Sequence, residues 1–212
     1  MINIAVLVSG EGSNLQALID ACRNGSINGK IVTVVSNQSD AYALQRAHDV
    51  GIENRTFLRS NYANNRLMDC AVADYLEQRQ VDLIVLAGYM KILTEGFVQR
   101  FAGKILNIHP SLLPKYPGLD TYRRAMEAGD REHGTTVHFV NETVDGGAIV
   151  LQAKVPIFSD DQQTDVVDRV KAQERQIYPL VVAWFCDGRL CLHSDKAYLD
   201  NQPLAADGYA AE

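Results

Sequence analysis

The feature that most constrains the fold is a regular alternation of short apolar runs with helix-type stretches in the first half of the chain. The apolar runs at residues 2–8 and 82–87 contain almost no polar side chain, which is typical of strands covered on both faces. The other strand-type runs lie at 31–36 and 52–58, and the helix-type stretches at 15–22, 42–50 and 61–78. This order predicts an α/β fold, a Rossmann-like and mostly parallel central sheet with helices on both faces.

The second half of the chain changes character after a strand predicted at residues 105–109. Pro110, Pro114 and Pro117 predict an irregular loop there. Strands follow at 135–140 and 148–155, then a long helix at 164–185, and the polar tail from His193 has only weak patterning. Because no linker separates the halves, we expect a single domain over 1–212, made of an N-terminal half (1–106) and a C-terminal half with a smaller subregion (107–212).

Charge and composition argue against several classes of partner. The chain has 26 acidic and 20 basic residues, a formal charge of −6, and its lysines and arginines are scattered. A nucleic-acid partner is therefore not expected, since neutralising phosphates supplies most of the affinity for such a ligand. The N-terminal run lacks a basic segment before it, and no apolar run approaches the ~20 residues of a membrane span. We expect a cytoplasmic protein that does not bind a membrane.

The cysteines and histidines show no pattern typical of a metal site. The four cysteines contain no Cys-x-x-Cys pair, which favours free thiols in a reducing compartment. His133 and His138 lie five residues apart on a predicted strand, so their side chains point to opposite faces. No metal is therefore expected.

A glycine-bearing turn joins the first strand to the first helix, with Gly12, Ser13 and Asn14 just before the helical stretch. Such a turn points main-chain N–H groups towards a ligand, and the positive end of the helix dipole favours an anion. Leu15 occupies the position of the third glycine of a dinucleotide fingerprint, so a phosphomonoester fits better than NAD. The alternative is an ordinary capped turn.

A second candidate is the pair Asn107 and His109 at the end of the strand predicted at 105–109. Side chains two residues apart on a strand point to the same side, and Pro110 ends the hydrogen-bonding pattern beside them. An amide donor beside an imidazole suits chemistry in which an oxyanion develops while a proton moves. A purely structural histidine is the alternative. Asp145, followed by two glycines, is typical of a turn and becomes functional only if its loop reaches His109.

Three segments together resemble the folate-dependent formyltransferase family. They are NIHPSLLPKYPG at residues 107–118, SGEGSN at 9–14 and AGYMKIL at 87–93. The spacing of the histidine, the prolines and the glycine in the first segment is highly specific. The resemblance extends over nearly the whole chain, from the first strand to residues 207–211.

The resemblance implies transfer of a formyl group from 10-formyltetrahydrofolate to the amine of glycinamide ribonucleotide in purine synthesis, without a metal. It implies that Asn107, His109 and Asp145 are catalytic, with Asp145 keeping His109 charged while Asn107 and His109 stabilise the oxyanion. The implied substrate contacts are Gly12, Ser13 and Asn14 for the phosphate, Glu174 for the ribose, and Arg66 (or its neighbour Asn65), Met90, Lys91, Ile92, Leu93 and Asp145 for the folate.

Other members of the family supply the alternatives. A formyltetrahydrofolate deformylase shares the signature but carries a regulatory domain before the first strand, which here begins at Ile2. A methionyl-tRNA formyltransferase is disfavoured by the acidic charge and by the absence of a C-terminal tRNA-binding domain. A non-catalytic folate or nucleotide sensor is the third alternative. The expected assembly is a monomer or a homodimer.

Overall fold

The computed structural model describes residues 1–209, and Ala210 and Ala211 of the matching C-terminal stretch lie outside them. The chain divides into two compact units, Met1–Asn107 and the residues from Ile108 onward. The predicted halves meet one residue before this boundary, and the single domain over 1–212 stays a prediction.

The first unit is a parallel sheet with the strand order β3-β2-β1-β4-β5. Its strands are β1 (Ile2–Val8), β2 (Gly29–Ser36), β3 (Asn54–Thr56), β4 (Leu83–Leu86) and β5 (Ile105–His109), whose last two residues belong to the second unit. Its helices are α1 (Ser13–Arg23), α2 (Tyr42–Asp49), α3 (Asn65–Gln78) and α4 (Glu95–Arg100), with a short 3-10 helix at Arg59–Asn61. The predicted Rossmann-like, mostly parallel sheet is confirmed.

The centre of the first sheet is completely buried. Ala5, Val6 and Leu7 of β1 and Ile84 and Val85 of β4 each have 0% exposure. The strand order reverses between β1 and β4, and ligands of such sheets bind at the carboxyl ends of the strands beside this reversal. The segments that follow β1 and β4 are the glycine-bearing turn and the AGYMKIL stretch, so the topology brings two sequence-predicted sites to one edge.

The second unit places a long helix on an antiparallel pair of strands. It contains α5 (Thr121–Glu127), β6 (Glu132–Phe139), β7 (Ile149–Pro156) and α6 (Gln163–Cys186). Val166 and Val170 of α6 pack with Val155 of β7 in a buried cluster. The helix continues through Pro179.

The polar tail from His193, whose weak patterning predicts no element, completes a small three-stranded sheet. This sheet contains β8 (Leu190–His193), β9 (Lys196–Leu199) and β10 (Gln202–Pro203) in antiparallel order. Two-residue turns join the strands, and their residues, Ser194, Asp195, Asp200 and Asn201, all have positive φ. Two-residue hairpin turns of this kind favour Asn, Asp and Gly, so those residue types were the available signal.

Candidate functional site

The turn after β1 is fixed by the neighbouring helix α2. The Ala43 N–H donates to the Gly10 carbonyl at 3.0 Å, and Arg46 Nε donates to the Glu11 carbonyl at 2.9 Å. Gly12 precedes α1 with φ 77°, and a Cβ there would lie 2.6 Å from the Cβ of Ala43. Both the backbone conformation and the lack of space therefore require glycine at position 12. The turn leads directly into the first N–H groups of α1, which have no carbonyl partner within the helix.

The segment after β4 is held by two side chains of the first unit. Ser9 Oγ accepts a hydrogen bond from the Met90 N–H at 2.8 Å, and Asp69 accepts one from the Thr94 N–H at 2.7 Å. Met90 and Ile92 are 67% and 70% exposed, which is unusual for large apolar side chains. The predicted folate residues Met90–Leu93 are therefore a fixed segment with an open apolar surface.

The predicted pair Asn107 and His109 ends β5. Asn107 is half-buried and pairs with Leu86 of β4, while His109 is only 6% exposed. Nε2 of His109 lies 2.8 Å from the Tyr116 carbonyl. Since a carbonyl oxygen only accepts, Nε2 carries a hydrogen and donates it. The other ring nitrogen, Nδ1, is left for Asp145.

The loop that carries Tyr116 is tied to its own surroundings. Ser111 Oγ donates to the Lys115 carbonyl at 2.6 Å, and Thr121 Oγ1 donates to the Pro110 carbonyl at 2.6 Å. The Tyr116 hydroxyl donates to Asp130 at 2.8 Å. The carbonyl that orients His109 is therefore held in place by side-chain contacts on both sides of it.

Asp145 lies next to His109, although its Asp-Gly-Gly setting is typical only of a turn. Its Oδ2 is 3.5 Å from His109 Nδ1, and the two side chains are 10% and 8% exposed. The same oxygen accepts the Gly118 N–H at 2.8 Å, so the carboxylate also joins its loop to the proline-containing loop. A buried carboxylate at this distance favours the charged form of an imidazole.

Two glycines close the Asp145 loop against its own strand. A Cβ at Gly147 would lie 1.8 Å from the Phe139 carbonyl oxygen, and one at Gly146 would lie 2.7 Å from the Thr143 side chain. The Phe139 N–H donates to the Ala148 carbonyl at 2.9 Å at the base of the loop. The Asp-Gly-Gly run therefore has a steric reason beyond turn preference.

His138 is a site residue that sequence reasoning missed. Its Nε2 lies 3.9 Å from Asp145 Oδ1, and its Nδ1 donates to the Phe139 carbonyl at 2.8 Å. Burial lowers the pKa of His138, and the Coulombic effect of His109 lowers it further against the opposing effects of the Phe139 carbonyl and Asp145. The neutral form of His138 is therefore favoured beside the Asp145 carboxylate. Strand alternation on β6 carried no signal for this contact.

Glu174 of α6 lies close to the end of β5 through Thr135 of β6. The Thr135 hydroxyl is 3.0 Å from the His109 carbonyl oxygen and 3.4 Å from Glu174 Oε1. Glu174 is only 7% exposed. Arg66, in contrast, is exposed on the first turn of α3, where no contact of its side chain identifies a role.

Residues 1–209 contain no group of three or more His, Cys, Asp or Glu side chains arranged to hold a metal ion. Within the same residues, no helix combines the length and the apolar character needed to cross a membrane.

Comparison with known proteins gives consistent matches over the whole chain. The formyl transferase family model matches residues 2–182. The phosphoribosylglycinamide formyltransferase of Haemophilus influenzae is 64% identical over 212 residues, covering 100% of both chains. That of Escherichia coli is 51% identical over 210 residues, covering 99% of each. The solved phosphoribosylglycinamide formyltransferase of Coxiella burnetii, in complex with CHES, has a TM-score of 0.94 at 40% identity and covers 98% of each chain.

Proposed function

The chain belongs to the formyl transferase family and is an enzyme of purine biosynthesis that formylates glycinamide ribonucleotide, and we propose that Asn107, His109 and Asp145 carry out the transfer. The proposed donor is 10-formyltetrahydrofolate, used without a metal ion. The deformylase and sensor alternatives find no support in the relatives at 64% and 51% identity.

The observation that carries this proposal is the approach of Asp145 Oδ2 to His109 Nδ1 at 3.5 Å between two largely buried side chains. In a buried site a negative charge is stabilised by a nearby positive one, and the imidazolium is the group available to Asp145. Neutral His138 on the other side of the carboxylate does not compete for it. His109 is therefore proposed to carry the charge that the reaction requires.

The contact with Tyr116 supports Nδ1 as the nitrogen of His109 that donates to the reacting oxygen. Nε2 donates to the Tyr116 carbonyl and is committed to orienting the ring. The Asp145 carboxylate lies 3.5 Å from Nδ1, so it attracts the Nδ1–H of a protonated ring electrostatically. At this distance it does not hold the Nδ1–H in a short hydrogen bond. Nδ1–H is therefore proposed to donate to the developing oxyanion while the contact with Tyr116 keeps the ring in place.

In the proposed mechanism the amine of glycinamide ribonucleotide attacks the formyl carbon directly. The new C–N bond forms as the carbonyl oxygen becomes an oxyanion, which accepts hydrogen bonds from the Asn107 amide and His109 Nδ1–H. The bond from the formyl carbon to N10 of the folate then breaks. The attacking nitrogen loses one proton and N10 gains one, so no covalent enzyme intermediate is required.

The remaining predicted contacts are part of the same proposal. The turn at Gly12, Ser13 and Asn14 would bind the substrate phosphate at the N-terminus of α1, in agreement with the helix dipole. Glu174 would accept hydrogen bonds from the ribose, and Met90–Leu93 with Arg66 would contact the folate. A cytoplasmic location and a monomeric or homodimeric state stay predictions.

The test is to follow deformylation of 10-formyltetrahydrofolate with and without glycinamide ribonucleotide. Strict dependence on the ribonucleotide is expected for a transferase. Turnover without it would support the hydrolase, and binding of either ligand with no turnover under both conditions would support the sensor. The assignment of the catalytic residues fails if His109→Ala keeps near-normal turnover.

A further inference from the structure

Asp69 of α3 is a buried carboxylate that the proposed chemistry does not use. Its side chain is 2% exposed, and its Oδ1 lies 2.6 Å from Nζ of Lys91, which is itself only 10% exposed. Its Oδ2 accepts the Thr94 N–H at 2.7 Å. Both oxygens of Asp69 therefore bind the segment that follows β4, one through a side chain and one through the main chain.

The other end of the same segment has its own anchor. Ser9 Oγ accepts the Met90 N–H at 2.8 Å and uses its hydrogen to donate to Asn37 Oδ1 at 2.6 Å. The main chain between positions 90 and 94 is thus held at both ends by side chains from outside it. Segments held by buried, charge-assisted hydrogen bonds are well ordered, because such bonds are stronger than neutral ones.

The two anchors give the segment two different faces. Met90 and Ile92 are exposed, whereas Lys91 between them turns inward to Asp69. The Lys91 ammonium also donates to the Ile92 carbonyl at 3.2 Å. Its charge is already compensated inside the protein, so a ligand on the open face meets apolar side chains and main-chain groups there.

We propose that Asp69 is a positioning residue for the folate site, acting through Lys91 and Thr94 to hold the 90–94 main chain in the conformation that the folate recognises. This inference rests on the proposed function, because it assumes that Met90, Ile92 and Leu93 contact the folate. In this inference Lys91 is not a folate contact. It is the cation that compensates the buried negative charge of Asp69.

The physical reason is the asymmetry of buried ion pairs. Removing one partner leaves the other charged and uncompensated in a medium that solvates it poorly, and the structure must rearrange. Lys91 and the Thr94 N–H donate to different oxygens of Asp69, and an asparagine at position 69 replaces one of these oxygens by an NH2 group that cannot accept. The segment would then lose one of its anchors.

The experiment measures KM for 10-formyltetrahydrofolate, KM for glycinamide ribonucleotide and kcat in Asp69→Asn, Lys91→Met and Lys91→Arg. Loss of binding that is equal in the ground and transition states raises KM and leaves kcat unchanged. We expect Asp69→Asn and Lys91→Met to raise KM for the folate about tenfold or more, the loss of roughly one charge-assisted hydrogen bond. KM for the ribonucleotide and kcat should stay within about threefold. Lys91→Arg keeps a positive charge next to Asp69, so its KM for the folate should stay close to that of the wild-type protein.

A matched control exists on the same helix. Asp74 of α3 forms an exposed ion pair with Arg100 of α4 at 2.7 Å. Asp74→Asn therefore breaks an ion pair between α3 and α4, the helix that follows residues 90–94. Because exposed ion pairs contribute little to stability, Asp74→Asn should have the same KM for the folate as the wild-type protein. Combining Asp69→Asn with Lys91→Met should give a smaller effect than the product of the single effects, since both remove one interaction.

The opposite outcome has a distinct signature. If Lys91 contacts the folate directly, Lys91→Met raises the folate KM while Asp69→Asn, which releases the lysine, leaves it unchanged or lowers it, and the inference is wrong. If Asp69→Asn does not fold, the comparison of Lys91→Met with Lys91→Arg decides, together with hydrogen exchange of the 90–94 amides. A failure of the proposed function would instead appear as absence of ribonucleotide-dependent deformylation in the unchanged protein.

Discussion

Nε2 of His109 donates a hydrogen bond to the main-chain carbonyl of Tyr116 at 2.8 Å, and this contact turns Nδ1 of the same ring towards Asp145. Nε2 sets the orientation of the ring, and Nδ1 lies next to the Asp145 carboxylate. A histidine arranged in this way is prepared to donate from Nδ1, because the energetic cost of orienting the ring is met before substrate binds.

The first prediction concerns the charge on Asp145. Asp145→Asn keeps an oxygen that can accept the Gly118 N–H but removes the negative charge that favours imidazolium. We expect kcat to fall about 10²-fold or more, the contribution of a positioned acid. The loss should appear in kcat, because the proposed role of the carboxylate is to stabilise the charge that His109 carries during the transfer.

The matched control for this prediction is Asp168→Asn, which makes the same chemical change at an exposed position of α6. Its kcat should equal that of the wild-type protein. If Asp145→Asn keeps kcat within a few fold of the wild-type value, the carboxylate has no part in the transfer.

The second prediction concerns the oxyanion donors at the end of β5. Asn107→Ala and His109→Ala should each lower kcat about 10²–10³-fold, because each removes one donor to the developing charge. Circular dichroism should be unchanged. His48→Ala on α2 is the control, since this histidine has a 78% exposed side chain. Turnover of Asn107→Ala within a few fold of normal would exclude its proposed role.

The third prediction separates backbone strain from loss of space at Gly12, in the turn that is proposed to bind the phosphate. Gly12→Ala and Gly25→Ala both force a side chain into the left-handed region, at φ 77° and 84°, which costs about 1–2 kcal/mol of stability in each. A methyl group at position 12 also meets Ala43 at 2.6 Å, whereas nothing lies within 4 Å at position 25. KM for glycinamide ribonucleotide should therefore rise about tenfold in Gly12→Ala, a loss equal to roughly one hydrogen bond.

The corresponding KM in Gly25→Ala should not change. The comparison is made on the thermal midpoint and on KM together, so that a variant that is only less stable is recognised. Equal values of KM in both variants would show that the turn does not bind the phosphate.

The fourth prediction links two buried histidines to stability. Burial lowers the pKa of both His138 and His133 from the usual 6.5, so below that pH the unfolded chain binds protons that the native state does not. The free energy of unfolding should be highest above pH 6.5 and should fall as the pH decreases towards the lowered values.

The measurement is urea unfolding at a series of pH values from neutral to moderately acidic. In His138→Asn the slope below pH 6.5 should decrease by up to about 1.4 kcal/mol per pH unit, the limit for one proton. His193→Asn, on the exposed end of β8, should leave the slope unchanged. An identical slope in His138→Asn would mean that this histidine binds its proton in the native state as readily as in the unfolded one.

The sequence predicted those parts of the molecule that local patterns determine. The limits of β5 agree with the prediction for 105–109 because Pro110 cannot continue the ladder. Asn107 and His109 were placed on one side by strand alternation alone. Gly12, where the structure requires glycine, lies in a turn that a short segment of the sequence was sufficient to predict.

The rest depends on contacts between segments far apart in the chain. Asp145 is 36 residues from His109, and its Asp-Gly-Gly setting is typical of an ordinary turn. His138 faces Asp145 at 3.9 Å, and Asp69 lies 22 residues before the lysine it holds. No periodicity of 2 or 3.6 residues extends over such distances, so tertiary packing decides these contacts.

The absence of a side chain at Gly147 has a consequence for engineering. The Asp145 loop could be exchanged for one of different length to change which folate analogues the protein accepts. Because any Cβ at position 147 would meet the Phe139 carbonyl oxygen at 1.8 Å, a graft must keep this glycine while its outer residues vary. Position 147, which contacts no substrate in the proposed mechanism, would then limit the range of loops that can be transplanted more strictly than Asp145 does.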